Sequence, residues 1–111
     1  MSVVTSTKSA AKDLGKVMAM ARFTVRVELH DATWDHYKKL YVTMEHQGMT
    51  DVIPTTSGSI KMPPGEYNYE GTATKEQVLE KAKVAASQVV QSYAVLVTES
   101  NGRTWHGLSA A

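Results

Sequence analysis

Four side chains between positions 26 and 38 have the right types for acid–base work on a phosphate: Arg26, His30, His36 and Lys38. Cleaving RNA without a metal takes a base for the 2′-hydroxyl, an acid for the leaving oxygen and a cation beside the crowded phosphate. Imidazoles flanked by Arg or Lys supply these near neutral pH. His30 and Arg26 are four positions apart in an alternating segment, so they share a face with about 13 Å between Cα atoms at ~3.3 Å per residue. That separation calls for long reach or a bridging substrate. The plain alternative for each is a solvated strand or helix face.

Asp31 is the carboxylate nearest these groups. It has two readings: one ligand of a divalent ion, which would need a second converging carboxylate, or the cap of the helix that follows. Tyr67 and Tyr69 could stack bases from a sheet platform, or could be half-buried cross-strand packing. Arg103 and His106 have odd spacing, which on a strand puts them on opposite faces and prevents their serving one site in one subunit. There is no Gly-rich phosphate loop, nucleophile elbow or His-based zinc spacing.

The elements that position these residues follow from periodicity. Phe23, Val25, Val27 and Leu29 alternate with Thr24, Arg26, Glu28 and His30, the period of a strand buried on one side. Asp31 or Thr33 then caps a helix with Trp34, Tyr37, Leu40, Tyr41 and Met44 on one face, stopped by Gly48. Asp51 to Gly71 reads as a central hairpin with an irregular return, broken at Pro63, Pro64 and Gly65. Thr74 and Gln77 form a capping box ahead of a second helix, whose stripe is Val78, Leu79, Ala82, Ala85, Ala86, Val89 and Val90. Tyr93 to Thr98 is almost continuously apolar, as in a strand covered on both sides or sitting at a subunit interface. Asn101-Gly102 is the strongest short hairpin signal in the chain and predicts a return strand over Arg103 to Leu108. The order is βαββαβ plus one strand. The crossover rule turns it into an α+β, ferredoxin-like antiparallel sheet with both helices on one face and the other face open.

Composition sets the limits. The chain has 111 residues, 42% of them hydrophobic, which suits one core. Residues 20 to 111 are expected to form that single domain, starting naturally at Met20, with residues 1 to 19 as a motif-free stretch that is either a flexible extension or the product of an upstream start. The absence of cysteine excludes a disulfide framework and thiolate chemistry. The apolar run Val17 to Ala21 is too short for a secretory core or a membrane span, so a cytoplasmic protein without membrane contact is expected. A net charge of +1 gives no global field to attract nucleic acid, so any such contact is local or assembled by a dimer.

Three stretches carry a family resemblance: Phe-Thr-Val-Arg-Val-Glu-Leu-His-Asp-Ala-Thr-Trp from Phe23 to Trp34, Glu-Tyr-Asn-Tyr from Glu66 to Tyr69, and Ala94 to Ser100 with Asn-Gly-Arg-Thr-Trp-His-Gly-Leu from Asn101 to Leu108. Together they resemble the GhoS family over nearly everything after Met20. The resemblance implies a Cas2-like ferredoxin fold. It also implies an antitoxin of a toxin–antitoxin pair, an endoribonuclease that cleaves the messenger of its small membrane toxin. That fold places an acidic residue at the end of strand one facing a dimer mate, which falls on Asp31. On this reading Asp31, His30 and Arg26 lie nearest the chemistry, with Lys38, Tyr67 and Tyr69 on RNA. The expected partners are the toxin messenger and a second copy of the chain, paired through the fourth strand and the final hairpin; no cofactor is specified. The alternative is a non-catalytic dimeric module that binds a protein or nucleic acid through the same open sheet.

Overall fold

Alternation along the first strand decides which way the sheet faces. In the computed structural model, which describes residues 20 to 111, β1 (Ala21–Leu29) buries Phe23, Val25, Val27 and Leu29 and exposes Arg22, Arg26 and Glu28. The buried side lies under two helices, α1 (Trp34–His46) and α2 (Lys75–Ser87). Leu40 and Met44 of α1 and Val78, Ala82, Ala85 and Ala86 of α2 complete the same core, together with Met49 and Tyr67. The alanine stripe lets α2 lie close against the sheet, because methyl groups keep little distance between backbones. The chain is thus α+β, with antiparallel strands and both helices on one face. Among the described residues no helix is long and apolar enough to cross a membrane. The expectation for residues 1 to 19 lies outside the described residues.

Local signals set the helix boundaries, although α2 stops at Ser87, short of the Val89 and Val90 that the periodic stripe included. Gly48, at φ +83°, lets the chain turn out of α1. At the start of α2, Gln77 donates its amide to the Thr74 hydroxyl at 3.1 Å, and the Thr74 amide donates to Gln77 Oε1 at 2.9 Å. Thr33 is the cap of α1, and its amide donates to His36 Nδ1 at 2.9 Å. Asp31 does not cap the helix. It sits in the turn after β1 at φ 51°, the left-handed region that aspartate tolerates better than most residues.

The sheet differs from the expected four-stranded plan. β4 (Glu66–Gly71), β1 and β5 (Tyr93–Ser100) form a three-stranded antiparallel sheet in the order β4-β1-β5. β2 (Val52–Thr55) and β3 (Gly58–Lys61) form a separate hairpin. Its link to the sheet is a single bridge, Thr50 to Asn68, where the Thr50 amide donates at 3.0 Å. The hairpin swings away because the Met62 amide donates to the Asp51 carbonyl at 2.7 Å, closing its base, and because Pro63 and Pro64 have no N–H to continue a ladder. Gly65 then passes close to β1: the Val27 amide donates to its carbonyl at 2.8 Å, and a Cβ there would meet the Val27 oxygen at 3.0 Å.

Two more expectations change. Among the described residues β5 is an edge strand rather than a doubly covered one, with Tyr93, Val95 and Val97 half-buried toward the helices and Ala94 and Leu96 exposed. The final hairpin strand does not form. Among the described residues Asp31 is the one non-glycine at positive φ, so Asn101 does not adopt the conformation that a type I′ turn demands. Instead the tail crosses the face opposite the helices. Its end lies along β3, with the Lys61 amide donating to Ser109 at 2.8 Å and the Ala111 amide to Ser59 at 2.9 Å.

Candidate functional site

The face opposite the helices is where β1 displays its polar residues. The register sets Thr24 between Asn68 and Thr98, and Arg26 between Glu66 and Leu96. The tail covers the Thr24 row. Arg103 donates from Nε to Thr24 Oγ1 at 2.9 Å, and from Nη2 to both the Phe23 carbonyl at 3.0 Å and Asn68 Oδ1 at 2.8 Å. Burial pushes its guanidinium below the usual range, while the Glu70 carboxylate pulls it back up. The face is therefore half covered rather than open, and Arg103 and His106 line one cleft together with Thr24 and Glu66. The period-two argument that separated them fails because no strand runs there.

The other half, from Arg26 to His30, stays accessible. Arg26 faces Glu66 at 3.4 Å with its side chain 64% exposed, an ion pair worth little in water but one that keeps the guanidinium at the surface. A shallow cleft of about 320 Å³ is lined by Arg26, Val27, Glu28, Trp34, Tyr37, Pro64 and Gly65. At its side the Leu29 amide donates to the Tyr37 hydroxyl at 3.0 Å, which pins the start of α1 to the end of β1 and so places Trp34 beside Arg26. Trp34, expected on the buried stripe, is 58% exposed because it stands in the first turn, before the helix reaches the core.

Glu28 connects this cleft to His30. Glu28 Oε1 stands 3.5 Å from His30 Nε2, and the other ring nitrogen, Nδ1, is 2.7 Å from Ser92 Oγ. The His30 amide also donates to the Ser92 carbonyl at 3.0 Å, so backbone and side chain hold the two residues together. An ionised carboxylate can only accept, so it favours the proton on Nε2 and leaves the Nδ1 lone pair toward the Ser92 hydroxyl. Ser92 carried no sequence signal: it lies 62 residues from His30 and meets it only because β5 runs antiparallel beside β1.

The remaining predicted residues are scattered. Lys38 lies on α1, away from the sheet's polar face, and pairs with Asp35 at 3.5 Å. Asp31 follows His30 in an exposed turn. His36 is committed to the helix cap. Tyr67 and Tyr69 point toward the helices: Tyr67 is 1% exposed with its ring 5.7 Å from that of Tyr41, and Tyr69 packs on Phe23 at 6.0 Å. Neither tyrosine can stack a base from the polar face. Among the described residues no group of three or more His, Asp or Glu gathers as a metal site.

Tyr67 has one consequence for stability. Its hydroxyl is buried with no hydrogen-bond partner among the described residues. Burial, then the nearby Tyr41 and Asp51, push the phenol well above its ordinary 10.0. A phenol held neutral in the fold but free to ionise when unfolded contributes stability that is intact below about pH 10 and lost as pH rises further. Tyr67→Phe is expected to be neutral or up to about 1 kcal/mol stabilising at neutral pH, because it removes an unpaired buried hydroxyl. It should also flatten the alkaline loss. Urea denaturation at neutral pH and above pH 10 checks both, and a loss greater than about 1 kcal/mol at neutral pH would mean the hydroxyl has a partner.

Comparison with protein-family models, characterised proteins and solved structures finds no match to this chain.

Proposed function

We propose that the chain is a GhoS-like, cytoplasmic antitoxin that acts as an endoribonuclease on a toxin messenger. The observation that carries this reading is the cleft in which exposed Trp34 and Arg26 lie beside Glu28, the partner of His30. A base stacks on Trp34, and the following phosphate meets Arg26 once Glu66 yields it. The ribose 2′-hydroxyl then takes the place of the Ser92 hydroxyl at His30 Nδ1. His30 accepts its proton, the 2′-oxygen attacks the adjacent phosphorus, and the 5′-oxygen leaves with a proton from solvent or from the imidazolium. The products are a 2′,3′-cyclic phosphate and a free 5′-hydroxyl. The order β4-β1-β5, with Thr50 bridging the outer edge of β4, supports a ferredoxin-like plan whose remaining strand is reduced to that bridge.

Incubation of the purified protein with a transcript pool, with and without magnesium, is expected to give discrete fragments ending in cyclic phosphate. His30→Ala should slow cleavage about 10²- to 10⁴-fold. Trp34→Ala should weaken RNA binding by about 1–3 kcal/mol. Every RNA left intact under both conditions would end the catalytic reading.

One observation favours the second reading, a dimeric binding module. Among the described residues the outer edge of β5 is unpaired, Tyr93 to Thr98 carries no charge, and Leu96 is 63% exposed. Two such edges can pair antiparallel without like-charge repulsion and extend the sheet. Biological activity that survives both His30→Ala and Asp31→Asn in a folded protein would favour binding over catalysis.

A further inference from the structure

The Ser92 end of the polar chain Glu28–His30–Ser92 has a chemistry of its own beyond the RNA reading. We infer that Ser92 is an activated nucleophile that takes the acyl group of small activated carboxylic esters, with His30 as its base and Glu28 as the group that sets the tautomer of His30. The geometry is that of nucleophilic hydroxyl catalysis: a hydroxyl 2.7 Å from one ring nitrogen and a carboxylate 3.5 Å from the other. Three different backbone positions converge there, two on β1 and its exit and one at the entry to β5, and the His30 to Ser92 backbone hydrogen bond at 3.0 Å fixes their approach. Ser92 is exposed, so an ester reaches it without a conformational change.

In the first step Ser92 Oγ bonds to the acyl carbon while its proton passes to His30 Nδ1. The tetrahedral adduct then expels the alcohol, which leaves with that proton, so imidazole is neutral again. In the second step water loses a proton to Nδ1 and attacks the acyl-serine. Ser92 Oγ leaves and recovers the proton, and the carboxylic acid is released. No oxidant, metal or further reactant enters. The carboxylate and imidazole are solvent-facing, with 67% and 42% of their side chains exposed, so the acceleration is modest rather than that of a dry protease site.

The inference shares His30 and Glu28 with the RNA reading but needs neither Arg26 nor Trp34, and a covalent adduct on Ser92 reports on it whether or not RNA is cut. The test treats the full chain with an alkyl fluorophosphonate and maps the adduct by mass spectrometry, in parallel with p-nitrophenyl acetate hydrolysis. Attack of Oγ on phosphorus expels fluoride and leaves a stable Ser92 phosphonate. The expected result is a single adduct on Ser92, absent in Ser92→Ala and His30→Gln, and formed about tenfold more slowly in Glu28→Gln. Ester hydrolysis should fall with the same three variants. Circular dichroism confirms that each variant is folded. No adduct on Ser92, an adduct that forms equally fast in His30→Gln, or labelling spread over other serines would each overturn the inference.

Discussion

Phe23→Ala is expected to destabilise the protein by about 4 kcal/mol, a large share of the ~5–15 kcal/mol that holds a small domain together. Phe23 is the one phenylalanine in the chain and is fully buried. It stands on β1, the strand flanked by both β4 and β5, with its ring packed at 50° on Tyr69. Truncation loses the transfer of the ring from water and leaves a cavity under α2 that two β-ladders on either side prevent from collapsing. Urea denaturation should show a lower midpoint with an unchanged slope. A loss below about 1 kcal/mol would show that β1 does not carry the core.

Arg103→Ala should be about half as damaging, for a different reason. It deletes three hydrogen bonds at once and strands the Asn68 side-chain oxygen on a residue only 6% exposed. Charged hydrogen bonds and an abandoned buried acceptor together amount to about 2 kcal/mol, or a fall of roughly 10 °C in Tm. Lysine should not rescue the loss, because an ammonium cannot span Thr24, Phe23 and Asn68 as a planar fork does. The local readout is amide exchange at Lys61 and Ala111, whose bonds depend on the tail lying along β3. Both should speed up in the variant. Protection unchanged at both positions would mean that the tail is held without Arg103.

The tail also bears on the proposed chemistry. It buries the Thr24 and Asn68 end of the polar face and leaves the Arg26 and His30 end exposed, so the accessible cleft is confined to the exit of β1 and the start of α1. Trp34 supplies there the aromatic surface that Tyr67 and Tyr69 were expected to supply from β4. A tyrosine on a two-sided strand has even odds of facing the helices, and position 67 shares its parity with the buried residues of β1, opposite Val25.

What the sequence determined by itself was local and repetitive. The period of two in Phe23 to Leu29 assigned a buried face, and steps of three and four through Leu40 and Met44 assigned another. Thr74 with Gln77, and Gly48, marked helix ends through bonds and dihedral needs that involve neighbours only. Those signals depend on side chains a few positions apart, so one sequence holds them all. Contacts across the chain were decided by tertiary structure alone. Asn101-Gly102 promised a hairpin, but the gain from seating Arg103 on β1 and β4, about 80 and 35 residues away, outweighed a local turn preference. The meeting of Ser92 with His30 likewise waited on β5 choosing β1 as its neighbour, because hydrogen-bonding edges are chemically alike and only global packing selects between them.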